Sequence, residues 1–161
     1  MARVEEADAH LVEDMEKAVT VLVRQANHPR LHDQLATRAG VQLDRGGYGV
    51  LTEIGEHGRF RLSDVAEQLE LEVSTVSRHV KMLEASGLVR REDDPNDGRA
   101  ALVQLTPLGR RVLRKLQVAR RAWMRELVDE WTVAEREQFA SLVGRFVEAG
   151  RAVSARNGKR R

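Results

Sequence analysis

The chain has 161 residues, 42% hydrophobic and 32% charged, with a formal net charge of +2 and only 4% aromatic residues. That length suits one domain of ordinary size, or a small module whose appended helices need a partner to bury them. The absence of cysteine excludes disulfides, thiolate metal sites and cysteine redox chemistry. No apolar run approaches the roughly 20 residues of a membrane span and no leader pattern opens the chain, so a cytoplasmic location without membrane contact is expected.

Apolar residues at Leu11, Val12, Met15, Val19, Leu22 and Val23 fall at helical offsets and predict a first helix. His28-Pro29 interrupts it, because proline disfavours helix at the preceding residue. Leu31, Leu35 and Ala39 predict a short second helix ended by Gly40. Asp44 is placed to cap a third, which carries Tyr48, Leu51 and Ile54 and closes at the glycines around His57. Ser63 is expected to cap a short helix from Asp64 to about Leu69, with Val65, Ala66 and Leu69 turned inward.

A further helix starts at Val73, with Val76, Val80 and Leu83 as its apolar stripe and Gly87 as its end. Two short helices joined tightly form a helix-turn-helix pattern. Leu88 to Glu92 and Ala101 to Leu105 read as strands, with Asp93 to Ala100 as the loop between them. Thr106-Pro107 opens a long helix to about Glu130, striped by Val112, Leu116, Ala119, Trp123 and Leu127. Thr132 and Glu135 have capping-box spacing and open a last helix carrying Phe139, Leu142, Val143, Phe146 and Val147. The segment from Arg156 to Arg161 is too polar to pack and is expected to be unstructured. The predicted fold is mainly α with a small β-hairpin, a winged helix-turn-helix core between helical flanks.

With Val76, Val80 and Leu83 inward, the helix from Val73 turns Ser74, Thr75, Arg78 and Lys81 outward, with Ser77 and His79 on its flanks. Short hydroxyls and cations in this array suit phosphates and base edges, and a solvated helix face would look the same. The charge balance cuts the other way. From Val41 to Thr106 there are eight Lys or Arg against twelve Asp or Glu, whereas Pro107 to Arg125 holds seven cations and no acid. Binding to DNA then rests on a local arrangement of Arg78, Lys81, Arg90, Arg91 and Arg99.

The motifs S-T-V-S-R from Ser74, L-E-x-x-G-L-V-x-R from Leu83, D-x-x-D-x-R from Asp94 and L-T-x-x-G from Leu105 stand in the order and spacing of one family. Over about Leu43 to Leu116 the chain closely resembles the MarR family of bacterial transcriptional regulators. One departure is Glu70, where that family usually has glycine. The resemblance implies a homodimer with interleaved terminal helices: residues 1–42 and 107–161 serve dimerisation and residues 43–106 form the DNA-binding lobe. The large apolar stripes at both ends agree, since a core of about 65 residues cannot cover them all. A twofold dimer predicts a pseudo-palindromic operator in double-stranded DNA, read as a repressor reads it.

On this reading the DNA-binding residues are Ser74, Thr75, Ser77, Arg78, Lys81, Arg91, Asp97 and Arg99. The resemblance sends Arg99, on the wing, into the minor groove, where negative potential favours a guanidinium. Asp97, two residues away, is placed to hold that guanidinium in a fixed fork. The resemblance also implies a small phenolic or anionic effector bound between the lobes, for which Arg45, Tyr48, His57 and Trp123 are the candidates.

No G-x-S-x-G, phosphate-binding glycine loop or H-E-x-x-H is present, so no enzyme is expected. The five histidines lack a paired metal-ligand spacing on one helix, and neither metal nor cofactor is expected. The competing reading, supported by the acidic balance of the core, is a winged-helix module that contacts protein and not DNA.

Overall fold

The computed structural model describes the backbone of residues 2–94 and 97–158 and the side chains of residues 9–94 and 101–156. Along the chain run α1 (Ala2–Ala26), α2 (Pro29–Ala39), α3 (Arg45–His57), β1 (Phe60–Arg61), α4 (Leu62–Gln68), α5 (Val73–Ala85), β2 (Val89–Asp94), β3 (Asp97–Leu105), α6 (Pro107–Leu127) and α7 (Val133–Gly158). They divide into two compact units, residues 1–120 and 121–161.

In the first unit the expected punctuation acts at atomic detail. His28 caps α2 through Nδ1, which accepts from the Arg30 amide at 3.2 Å, and Gly40 ends that helix with a φ of 62°. Asp44 caps α3, with Oδ1 accepting from the Gly47 amide at 2.7 Å. Ser63 does not cap α4. That helix begins one residue earlier, at Leu62, with Arg61 at the cap position and no side-chain cap bond, while the Ser63 hydroxyl donates to Asp64 Oδ1 at 3.0 Å. Strand pairing replaces the cap, because α4 leaves directly from β1, whose Phe60 and Arg61 lie opposite Val103 and Leu102.

The sheet has the order β1-β3-β2 and is antiparallel throughout. β1 escapes sequence reading because two residues show no periodicity. The hairpin strands run further than expected: β2 reaches Asp94 and β3 starts at Asp97, so most of the stretch read as a loop is strand, with a register shift between Asp93 and Asp94. Val89, Val103 and Leu105 are buried on its inner face. They pack in one cluster with Val50, Leu51 and Ile54 of α3, Val65 and Ala66 of α4, Val76, Val80 and Leu83 of α5, and Leu113, Leu116 and Ala119 of α6.

The start of α6 explains the L-T-x-x-G spacing. The Thr106 hydroxyl donates to the Gly87 carbonyl at 2.6 Å and accepts from the Gly109 amide at 3.0 Å. A Cβ on Gly109 would fall 1.9 Å from the Leu88 carbonyl oxygen, so only glycine lets the helix sit this close to the strand.

Outside this core, α1 presents Leu11, Val12, Met15, Leu22 and Val23 to solvent, with Leu11 62% exposed. In the second unit the Thr132 amide donates to Glu135 Oε2 at 2.7 Å and the Glu135 amide to Thr132 Oγ1 at 3.3 Å, the expected reciprocal box. Trp131 meets Phe139 edge-on at 5.2 Å. Phe139, Leu142, Val143, Phe146 and Val147 of α7 are exposed. Residues 156–158, expected to be unstructured, continue the α7 helix, and the rest of that segment lies outside the described residues.

Candidate nucleic-acid interface

α5 is anchored on one face and free on the other. Val76, Val80 and Leu83 are each at most 1% exposed, while Ser74, Arg78 and Lys81, spaced i, i+4 and i+7, lie exposed along the opposite face. Thr75 and Ser77 are half-buried at its edges. Among the described residues neither Arg78 nor Lys81 makes an ion pair. His79 departs from its expected place beside this stripe: it is 7% exposed. Its ring lies against the N-terminus of α3, so close that a Cβ on Gly46 would meet it at 2.2 Å. Nδ1 has no hydrogen-bond partner and stands 3.8 Å from Asp44 Oδ2. A buried ring in that position packs between α5 and the start of α3.

The wing is held by ion pairs that the charge count conceals. Arg91, expected to face DNA, lies opposite the buried Val103 on the inner side of the sheet. Its Nε donates to Glu84 Oε2 of α5 at 2.9 Å and its Nη2 is buried. Side-chain alternation along β2 sends Val89 and Arg91 to the same face, and Glu84 is the partner α5 offers there. On the other face Arg59 reaches Glu92 at 3.5 Å, Arg90 reaches the same carboxylate at 2.7 Å, and Arg61 donates through Nε and Nη2 to Asp94 Oδ2 at 2.8 and 2.5 Å. Asp94 is only 5% exposed. Three acids of the formally acidic lobe, Glu84, Glu92 and Asp94, are thereby matched to arginines. The side chains of Asp97 and Arg99 lie outside the described residues; their backbone belongs to β3.

Comparison with known proteins gives this architecture a lineage. Residues 43–101 match the MarR family model. The chain is 36% identical over 138 residues to the uncharacterized HTH-type transcriptional regulator YxaD of Bacillus subtilis, covering 86% of this chain and 94% of that protein. The chain belongs to the MarR family. As such it is a transcription regulator with a DNA-binding winged helix-turn-helix. A mutant MarR from E. coli, solved in complex with operator DNA, shares the fold at a TM-score of 0.62 and 21% identity, over 81% of this chain and 91% of that one. The PcaV regulator of Streptomyces coelicolor, solved with its natural ligand, aligns at a TM-score of 0.58 and 27% identity, over 80% of this chain and 91% of that one.

Three of the four effector candidates of this MarR-family chain have other engagements. Arg45 donates to the Asn27 carbonyl at 3.0 Å and to Asn27 Oδ1 at 2.5 Å, tying the start of α3 to the end of α1. Tyr48 stacks at a tilt on His32, ring centroids 5.3 Å apart, and its hydroxyl accepts from Arg120 at 3.4 Å. His57 pairs with Glu53 at 3.1 Å and packs on Phe60. Trp123 is half-buried on α6 in the second unit. A cavity of about 320 Å³ between the N-terminus of α3 and the second half of α5 is lined by Leu43, Asp44, His79 and Met82 among others, and by none of the four candidates.

Proposed function

We propose that this MarR-family regulator acts in the cytoplasm as a homodimeric repressor that binds a pseudo-palindromic operator in double-stranded DNA and is released by a small phenolic or anionic ligand. The observation that carries the DNA reading is the exposed Ser74–Arg78–Lys81 stripe on a helix whose opposite face is locked into the core. That stripe enters the major groove, with Thr75 and Ser77 at its borders. Arg99 on the wing takes the minor groove, oriented by Asp97. The exposed apolar faces of α1 and α7 support the dimer, residues 1–42 and 107–161 forming its interface; patches of this kind mark contact sites. The similarity to PcaV supports the ligand. The acid surplus that favoured a protein-binding module persists after this pairing, since the arginines that hold Glu84, Glu92 and Asp94 belong to the same lobe; the DNA reading rests on where Arg78 and Lys81, unpaired among the described residues, lie, not on net charge.

Fluorescence anisotropy with a duplex from upstream of the chain's own gene, over a salt series, tests this reading. A specific complex weakens steeply as salt rises, through counterion release. No binding even at low salt would sink it.

A further inference from the structure

The pairing between β1 and the wing has a geometry that local stability does not require. β3 lies between β1 and β2, and Arg61 and Glu92 both stand opposite its Leu102, one on each side. Adjacent strands are about 4.8 Å apart, so β1 and β2 are separated by about twice that distance. Only a long side chain bridges them without the central strand. Alternation places Glu92 and Asp94 on one face of β2, and Arg59 and Arg61 two residues apart match that interval from the other edge. Both arginines reach diagonally, each toward the acid one step nearer the wing tip.

Of the two straps, Arg61 to Asp94 is the tight one. It uses two N–H donors on one carboxylate oxygen, and both of its side chains are less exposed than their counterparts in the other strap, Asp94 at 4% against Glu92 at 31% and Arg61 at 41% against Arg59 at 61%. Asp94 also marks the place where the ladder loses register: Asp93 faces Ala101, whereas Asp94 faces Asp97. Backbone pairing therefore holds the wing least firmly where the strap attaches. At its other end the strap attaches to the residue that precedes Leu62, the first residue of α4 and thus of the helix-turn-helix. The carboxylate end of this strap is shielded from solvent while the guanidinium is partly open to it, so the bond is screened less than an ion pair exposed at both ends.

We propose that Arg61, acting through Asp94, is a positioning residue that fixes the outer end of β2 in one frame with the recognition helix α5. The strap needs no DNA to exist, but its value rests on the DNA-binding reading above. It sets where the tip meets the flanking minor groove when Ser74, Arg78 and Lys81 occupy the major groove.

The test uses the full chain with Arg61→Ala, the milder Arg61→Lys, and the exchange of Arg61→Asp with Asp94→Arg. In the free protein, amide hydrogen exchange at residues 92–94 and 97–101 is expected to rise about tenfold in Arg61→Ala, with residues 76–83 of α5 unchanged. Arg61→Lys, which keeps the charge and loses the two-donor fork, falls between, and the charge exchange restores protection. On the tightest duplex recovered by in vitro selection with the unaltered chain, Arg61→Ala is expected to lower affinity about tenfold. Hydroxyl-radical protection of the outer minor grooves is lost while methylation protection of guanine N7 in the major groove stays. Unchanged exchange at the wing overturns the proposal, as does equal loss in α5 and the wing, or equal loss of protection in both grooves. Should selection recover no duplex, the DNA reading fails, and the exchange pattern alone decides whether the strap holds the wing.

Discussion

Glu70 carries a φ of 52°, the only left-handed non-glycine backbone among the described residues. It sits in the turn that joins α4 to α5, where the Leu71 amide returns to the Ala66 carbonyl at 2.9 Å. A Cβ in that conformation costs about 1 kcal/mol relative to glycine, and the exposed Glu70 side chain has no packing to offset it. Glu70→Gly is therefore expected to raise unfolding free energy by somewhat less than about 1 kcal/mol, since glycine also loosens the unfolded chain. Thermal denaturation reads this as a rise of about 2 °C; a fall would mean that the side chain makes a contribution beyond its backbone. Arg78 is the opposite case, an exposed residue without an ion pair among the described residues. Arg78→Ala is expected to leave the melting temperature in place and to lower DNA affinity by about 1 to 3 kcal/mol, relaxing preference at one base pair if the guanidinium reads guanine. Competition with single-substitution duplexes checks it, and an unaltered isotherm removes Arg78 from the interface.

At the scale of elements, caps and glycines were legible because they act on their immediate neighbours. Asp44, Gly40, Thr106 and the Thr132–Glu135 box each do in space what their spacing implies. The strand β1 and the straps were not legible, because Arg59 and Arg61 meet Glu92 and Asp94 only after β3 has inserted between them, more than 30 residues along the chain. The same reason hides the surroundings of Arg91 and His79: the pattern shows only a cation on a wing and a flank residue on a helix. The pairing of Arg91 depends on Glu84 and the burial of His79 on the close approach of Gly46, which no local pattern connects to them. Where local chemistry did suffice, it has a pH signature. The Glu135 carboxyl is held below the ordinary carboxylate range, first by the Thr132 hydroxyl and then by the Thr132 amide. A carboxylate whose pKa is lower folded than unfolded adds stability that is complete above the unfolded value and is lost as pH falls through the folded one. The melting temperature of the native chain should thus exceed that of Glu135→Gln near neutral pH, and the two should converge as pH drops below the ordinary carboxylate range. A gap that persists in acid would assign the effect to shape and not to charge.

For the whole molecule, the decisive quantity is the apolar surface left uncovered at both ends of the chain. Leu11, Met15 and Leu22 on α1 and Phe139, Leu142, Phe146 and Val147 on α7 are each 45% exposed or more except Phe139, at 43%. Full burial of such a side chain is worth about 1.5 to 3 kcal/mol, and a twofold interface counts each one twice. The proposed dimer accordingly depends on these faces far more than on any ion pair at the surface. Phe146→Asp places a carboxylate in each half of the interface, where it loses the ring's burial and adds an unpaired charge. Sedimentation at micromolar concentration is expected to show a monomer, with the winged lobe still folded by amide exchange in α5, because the core around Leu51 and Val80 is built from residues of the first unit and Phe146 belongs to the second. Operator affinity should then fall by about a hundredfold or more, since one lobe no longer holds its twin close to the second half-site. The salt dependence should become shallower, because a single lobe neutralises fewer phosphates and releases fewer counterions. A Phe146→Asp chain that stays dimeric, or one that becomes monomeric yet keeps its affinity and its salt slope, would show that the α7 face does not bring two lobes to DNA together.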